Sequence, residues 1–511
     1  MSESASERQA AGTPPDRRTF LKLIGAGAAG GILAGLAGCQ SPARKRAAAW
    51  AAPKRPLNFV LILVDDLGWT DLGCMGSSYY ETPNIDRLAS QGMKFTDAYA
   101  ACAVCSPTRA AVMTGRYPAR VGVTDVIRPR DRGARMPKPG EEWPVYADDG
   151  GEAERRLLCP RNPFWMERAE LTIAEALRPA GYTSCHIGKW HLGLDHWYPT
   201  QQGFDVNIGG CDFGYPGSYF DPYWAKDRSY IPTLPPRKAG EYLTDGEADE
   251  AVHFIRENRE RPFFLYLAHY AVHTPLQAKQ ELVVKYQAKQ KTRQNNAKYA
   301  AMVASDDQAT GLIMKALDEL RLTDNTIVIF TSDNGGLAPR ATDNSPLRAG
   351  KGCAYEGGIR VPAIIRWTGV VAPGSVCDVP ITSVDYFPTI LAAAGQEPPS
   401  ERVIDGRNLM PLLTQTGPLG RDAVYWHFPH YRGAKEGVPY SIIRQGDWKL
   451  IKRYEGKPFE LFNLRDDIGE QRDLSGEMPE QVSELDARLT AWLERCGARL
   501  PKPNPDYEPE R

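Results

Sequence analysis

The chain has 511 residues, 42% of them apolar and 24% charged, with a formal net charge of −1. The composition is globular, and the length suits one large domain with a smaller one. A charge so near zero excludes whole-molecule attraction to nucleic acid or to an anionic membrane surface, so no nucleic-acid partner is expected and any anion site is local.

In chain order, Arg17 and Arg18 precede a glycine-rich apolar stretch that is too weak for a membrane span. It meets LAGC, Leu36 to Cys39. Residues 1–38 resemble a twin-arginine signal peptide whose lipobox is cleaved before Cys39, leaving that thiol to be lipidated. Residues 39–55 read as a tether. The expected location is outside the cytoplasm, periplasmic or at the cell surface. There the chain would be reached through the export machinery and held to the membrane by the lipid alone.

Leu57 to Val64 is a continuous apolar run of the buried parallel-strand type, and it ends in Asp65 and Asp66. Residues 82–95 have helical spacing, with Pro83 in the first turn and Gly92 at the end. Cys105 opens a second helix, with Pro107 in its first turn and Gly115 as its stop. Residues 129–168, rich in charge, Pro and Gly, read as an inserted loop. Residues 170–193 read as helix, glycine stop, strand, and a loop carrying Lys189 and His191. Another apolar strand lies within 261–276, and its loop carries His269 and His273. A long helix (299–322) leads to a strand within 324–336 that ends in Asp333 and Asn334. A glycine-rich loop with Lys351, a strand (347–369) and a helix (385–395) follow. Strands alternating with helices predict an α/β fold with a largely parallel sheet, and the reactive side chains fall just after strand ends, where such sheets build their sites. The catalytic domain is expected over 56–400. Residues 401–511 read as a small α+β subdomain, with two strands about a Gly446–Asp447 turn, a third at 457–464 and a helix at 479–497.

Asp65, Asp66, Asp333 and Asn334 offer only oxygen, which suits a hard cation, Ca²⁺ or Mg²⁺, unless each pair merely caps the turn that follows. Arg109, Lys189, His191, His273 and Lys351 would add cations around such a metal, as an anion cleft for a phosphoryl or sulfuryl group needs. Lys189 and His191 alternate, so on an extended segment both face one side. Cys105 sits where a helix dipole favours negative charge, with Arg109 one turn on. A thiolate there would be activated, with His191 or His273 as its base. Yet sulfur beside a hard metal is a mismatch, which points to oxygen as the functional atom. Ten cysteines form no CxxC…CxxC framework, but Cys102 and Cys105 make one CxxC, so a redox pair or half a zinc site stays open.

CSPTR, residues 105–109, fits the C-x-P-x-R signature of the type I, formylglycine-dependent sulfatases, and AAVMTGRYP continues it. VDDLGW, TPNIDRLA, GYTSCHIGKWHLG, HTPL, TSDNGG and GKGCAYEGGIRVP also resemble sulfatase segments, in the family's order across 57 to 395. GDWKLI and ELFNL resemble its small C-terminal subdomain. Cys102 stands outside the signature, because Val104 lies where proline would be needed. The resemblance implies an alkaline-phosphatase-like α/β fold: a large, mixed, mostly parallel sheet sandwiched by helices, with an antiparallel sheet in the C-terminal α+β subdomain. It implies a sulfuric ester hydrolase in which a maturation enzyme oxidises Cys105 to Cα-formylglycine. The hydrate then attacks the sulfur of a sulfate ester and the alcohol leaves. It implies Ca²⁺, with Mg²⁺ as the other choice, held by Asp65, Asp66, Asp333, Asn334 and one oxygen of residue 105. Arg109 and His191 would hold the diol. Lys189, His273 and Lys351 would bind sulfate oxygens, and His273 would protonate the leaving alcohol. The expected substrate is a sulfated oligo- or polysaccharide, with the loop at 129–168 and the aromatic-rich segment 211–224 as candidate walls. The other readings are a phosphodiester or phosphonate monoester hydrolase of the same superfamily, a catalytically dead binding protein, and a redox pair that predicts a Cys102–Cys105 disulfide.

Overall fold

Asn58–Val64 (β1) is buried at every position, so it needs a strand on each side and a covered layer on each face. The computed structural model supplies both. It describes residues 55–127, 155–223, 231, 233–235, 237–432 and 437–508. The signal peptide, Cys39, almost all of the tether, and residues 129–154 of the inserted loop lie outside the described residues.

The main sheet adds Met93–Phe95 (β2), Thr183–Gly188 (β3), Val206–Ile208 (β4), Phe263–Ala268 (β5), Thr326–Ser332 (β6), Ala363–Arg366 (β7) and Ser375–Cys377 (β8). Their spatial order is β8-β2-β7-β6-β1-β5-β3-β4. From β4 to β6 neighbours are parallel. β7 runs against both β6 and β2, and β8 is parallel to β2. The mixed, mostly parallel sheet expected from the sequence is therefore present.

Alternation along β1 divides the core. Val60, Ile62 and Val64 face a layer built by Pro83–Gln91 (α1), Leu243–Glu257 (α3) and Ala297–Glu319 (α4), while the other face meets Cys105–Thr114 (α2) and Tyr386–Ala393 (α5). Gly115 ends α2 at φ 67°, and a Cβ there would lie 2.9 Å from the Cβ of Phe387, so only glycine suits both the turn and the packing. Among the described residues no helix is long and apolar enough to cross a membrane.

The C-terminal sheet is an antiparallel meander of Val424–Phe428 (β9), Tyr440–Gln445 (β10), Trp448–Arg453 (β11) and Glu460–Asn463 (β12). The sequence reading expected three of these strands and missed β9. One face packs on Pro479–Cys496 (α6) through Ile443, Leu450, Leu485 and Trp492. The opposite face, through Trp426, Ile442, Ile451 and Phe462, packs behind Cys102 to Cys105, and the Trp426 indole N–H donates to Ala100 O at 2.8 Å. This sheet is thus the wall against which the residues leading into α2 are set.

A buried ionic cluster joins the two sheets. Lys449 on β11 contacts Glu356 at 2.9 Å and Glu470 at 2.7 Å, and the Glu470 carboxylate accepts from the Glu356 N–H at 2.7 Å. The Tyr99 hydroxyl donates to Glu356 at 2.7 Å, and Arg360 and Arg444 both bind Asp97. Three acids thus meet three bases in one buried group. Removing one partner leaves a buried charge uncompensated, which costs about 3–5 kcal/mol. Lys449→Met is therefore expected to lower the thermal midpoint by several degrees, and adding Glu470→Gln to recover part of the loss. Melting curves of the three proteins check this.

Candidate active site

Val64 and Ser332 are register partners on adjacent parallel strands, so the residues that follow emerge side by side. The Asp66 N–H donates to Asp333 Oδ1 at 3.2 Å, the Leu67 N–H to Ser332 Oγ at 3.0 Å, and the Asn334 amide to Asp66 Oδ1 at 2.8 Å. These bonds hold Asp66 at φ 63°, a left-handed conformation that a residue with a Cβ adopts only when its surroundings impose it. Asp65 Oδ1, Asp66 Oδ2 and Asn334 Oδ1 are buried and accept no hydrogen bond. Orphaned buried oxygens are costly, and three from adjacent residues fit a cation that is hard and oxygen-seeking. His273 Nε2 is 3.7 Å from Asp66 Oδ2, and Asp65, Asp66 and His273 bring ligand-capable atoms within 4.8 Å of one another. Asp333 stands next to this group with both its oxygens engaged, by the Asp66 N–H and by Arg109.

The cations come from three other segments. Arg109 on α2 donates from Nε to Asp333 at 2.9 Å and from NH1 to Lys189 O at 2.7 Å, and its second guanidinium nitrogen is 2.8 Å from Asp333. Lys189 Nζ contacts Asp65 at 2.6 Å, with both side chains fully buried. Lys351 binds Asp66 Oδ1, and its loop is set by the Gly352 N–H donating to Ala103 O at 2.8 Å. Lys189 and His191 do not lie on an extended segment, so strand alternation does not set their directions. The chain leaves β3 at Gly188 (φ 91°), and His191 itself sits at φ 58°. Its Nε2 lies 2.8 Å from Ile127 O, while Ser106 Oγ donates to His191 O at 3.0 Å and accepts the Ile127 N–H at 3.0 Å. Ser106, next to the cysteine, therefore fixes the His191 loop, a role that sequence spacing did not reveal.

Cys105 is the first residue of α2 and 3% exposed, and a charge on it acts on both Lys351 and Arg109. Cys102 and Cys105 are both free. The Cys102 backbone is closed onto Thr108 Oγ1 by two 3.0 Å bonds, and burial pushes its thiol up to about 12, so a redox pair has no support here.

Burial, reinforced by Asp333, raises the Asp65 carboxyl well above the usual range. Burial also opposes ionisation of Asp66 and Asp333, but Lys351 and His273 outweigh it at Asp66, and Arg109 and Lys189 at Asp333, so both are lowered. Burial and then Lys351 depress His273 to about 3, which leaves its imidazole neutral. Arg109, Lys189 and Lys351 thus face Asp65, Asp66 and Asp333 at contact distance, and each cation has at least one of these acids as its partner.

The aromatic segment expected as a wall does reach the site. Cys211 O accepts the His191 N–H at 2.9 Å, and the Tyr215 ring stacks on His273 with centroids 5.5 Å apart and planes 11° apart. From the inserted loop, Trp165 stacks on Trp197 at 4.1 Å, and the Met166 N–H donates to Leu192 O at 2.9 Å, beside the His191 turn.

The sulfatase family's sequence model matches residues 57–396, and a model of the N-sulphoglucosamine sulphohydrolase C-terminal region matches 350–498. A sulfatase of Formosa agariphila is 33% identical over 515 residues, covering 85% of this chain and 88% of the relative. Human N-acetylgalactosamine-6-sulfatase is 37% identical over 396 residues, covering 73% and 69%. The solved structure of Ps i-CgsB superposes with TM-score 0.71 at 31% identity, covering 86% of this chain and 93% of that one, and the protein is also solved with k-i-k-neocarrahexaose. A phosphonate monoester hydrolase of Agrobacterium radiobacter shares the fold at 21% identity. The family model's match across the whole catalytic region, together with relatives at 33% and 37% identity, means that the chain belongs to the sulfatase family.

Proposed function

We propose that this sulfuric ester hydrolase removes sulfate from sulfated carbohydrates outside the cytoplasm, using an oxygen nucleophile made from Cys105. One observation carries the reading: Asp65 Oδ1, Asp66 Oδ2 and Asn334 Oδ1 are buried without hydrogen-bond partners, and the cations bound to Asp66 and Asp333, Lys351 and Arg109, also respond to a charge on Cys105 at a helix N-terminus. A hard cation accounts for those oxygens, and a thiol does not belong next to it.

Asp65, Asp66, Asn334 and Asp333 would hold Ca²⁺, with Mg²⁺ as the other choice, and such an ion supplies positive charge for a sulfuryl oxygen and for the nucleophile. Formylglycine at residue 105 supplies, as its hydrate, a hydroxyl able to attack sulfur and a second hydroxyl through which the enzyme is regenerated. The remaining work falls to the chain's own side chains. Arg109 and His191 hold residue 105. Lys189, Lys351 and His273 bind the sulfate oxygens. Arg109, Lys189 and Lys351 are fixed positive charges around the cleft, so they would draw in an anionic sulfate ester and stabilise its transferring group. His273 Nδ1 lies 2.8 Å from Thr274 O, an acceptor only, so Nδ1 carries a proton and Nε2 is the nitrogen turned to the pocket. A proton taken up at Nε2 with bound substrate is the one delivered to the leaving alcohol.

The carbohydrate assignment is supported by the human relative's name and by the neocarrahexaose complex of Ps i-CgsB. Export is supported by the paired arginines and the lipobox at Cys39, and a large sulfated saccharide met outside the cell is the substrate such a placement serves. A formylglycine-generating enzyme is the implied maturation partner, and because twin-arginine export moves folded chains, maturation would precede export.

Two outcomes follow. Ca²⁺ at about 100 times its dissociation constant should stabilise the metal-stripped protein by roughly 2.7 kcal/mol, and Asp66→Ala should remove the effect; thermal melts with and without chelator check this. On a panel of sulfated sugars, 4-nitrophenyl sulfate and an aryl phosphodiester, kcat/KM should be highest for a sulfate ester and fall roughly 10²–10³-fold in Lys351→Ala. Faster turnover of the phosphodiester would favour the phosphodiesterase reading, and no turnover with intact anion binding the dead-scaffold one.

A further inference from the structure

One dipeptide covers both histidines of the site. A Cβ added at Gly214 would lie 2.7 Å from Cε1 and 2.9 Å from Nε2 of His191, so the backbone itself rests on that imidazole. The next residue, Tyr215, stacks on His273 at 5.5 Å with an 11° interplanar angle.

The segment is tied to both histidine loops. The His191 N–H donates to Cys211 O at 2.9 Å, and the Tyr270 hydroxyl to Gly209 O at 2.9 Å. Downstream, the Tyr219 hydroxyl lies 2.6 Å from Tyr270 O and 2.8 Å from His273 O, and the Tyr219 N–H donates to Gln277 Oε1 at 2.8 Å. The segment that carries Tyr215 is therefore anchored on both sides, at Cys211 and Tyr219, by bonds that do not involve the His273 ring.

His273 needs such a support. The contact between Nδ1 and Thr274 O constrains one edge of the ring, while the torsion that sets an imidazole plane is intrinsically broad. A neighbouring ring stacked flat against it narrows that torsion.

We propose that Tyr215 is a positioning residue: it fixes the plane of the His273 imidazole so that Nε2 faces the oxygen of the leaving alcohol. It thereby determines how well the enzyme handles esters of weakly acidic alcohols, the class to which sugar hydroxyls belong. This rests on the assignment of His273 as proton donor made above. When the bond from sulfur to the leaving oxygen breaks, its electron pair stays on that oxygen, and the proton from Nε2 joins it as the alcohol departs. A sugar alkoxide needs that proton early, whereas 4-nitrophenolate leaves without it.

The test compares galactose 6-sulfate with 4-nitrophenyl sulfate in mature wild type, Tyr215→Ala, Tyr215→Phe and His273→Gln. Tyr215→Ala should lose about 10–100-fold in kcat on the sugar sulfate, the scale of a misplaced catalytic group, and stay within about 3-fold on the aryl ester. KM should hold for both, and Tyr215→Phe, which keeps the ring, should behave as wild type. In protein labelled at histidine Cε1, one of eight histidine signals, identified by its loss in His273→Gln, should shift downfield in Tyr215→Ala as the shielding ring is removed. Equal losses on both esters, no loss on either, or an unmoved His273 signal would overturn the proposal. If His273→Gln itself shows no leaving-group dependence, the proton-donor assignment falls. If His273→Gln shows it and Tyr215→Ala does not, the role of Tyr215 alone falls.

Discussion

Asp65, Asp66 and Asp333 are taken out of water at the ends of two neighbouring strands, and the site follows from how that cost is offset. In a dry interior three adjacent carboxylates repel one another and forgo hydration, so each needs a cation at contact distance. Arg109, Lys189 and Lys351 meet this need from three separate segments, all reaching inward over the same strand ends. Their positions are therefore dictated by the carboxylates, and the substrate cleft is what remains between them. Asp65 Oδ1, Asp66 Oδ2 and Asn334 Oδ1 nonetheless remain without hydrogen-bond partners, with Arg109 standing 3.9 Å from Asp65 Oδ1 and His273 Nε2 3.7 Å from Asp66 Oδ2.

That arrangement needs rigid support, because α2 and the Lys351 loop carry their charges far from the ends of the central strands. The second sheet provides it. Its apolar face backs Cys102 to Cys105, while Lys449 locks Glu356, a few residues beyond Lys351, to Glu470. The C-terminal region thus acts on the site by fixing where α2 begins and where the Lys351 loop ends. Two residues in left-handed conformations, Asp66 and His191, lie within this frame, where surrounding hydrogen bonds hold conformations a freer chain would leave.

Much of this was legible in the sequence, and for physical reasons. Apolar runs ending in Asp65, Asp66, Asp333 and Asn334 mark strand ends because burial on both faces forces continuous hydrophobicity. Pro107 and Gly115 bracket α2 because each suits only one end of a helix. Long-range pairing was not legible. Arg109 and Asp333 are 224 residues apart, and nothing local in either assigns one to the other. Nothing local in the strand 448–453 marks Lys449 as fully buried between two glutamates, one of them 93 residues away. Alternation placed Lys189 and His191 on one face of an extended segment, but the chain turns at Gly188 and His191 is left-handed, so alternation does not govern them. The segment 211–224 stood out for its rings, but that Tyr215 would meet His273 depended on a loop some sixty residues on.

The account makes residue 105 the point of decision. Its surroundings suit oxygen: a helix N-terminus, hard-cation ligands and fixed positive charge. The most direct measurement is mass spectrometry of the proteolytic peptide spanning residue 105, taken from protein that turns over a sulfate ester. The account predicts an aldehyde in place of the thiol, trapped by a carbonyl reagent, in proportion to activity. A fully active preparation in which Cys105 is an unmodified thiol would contradict it.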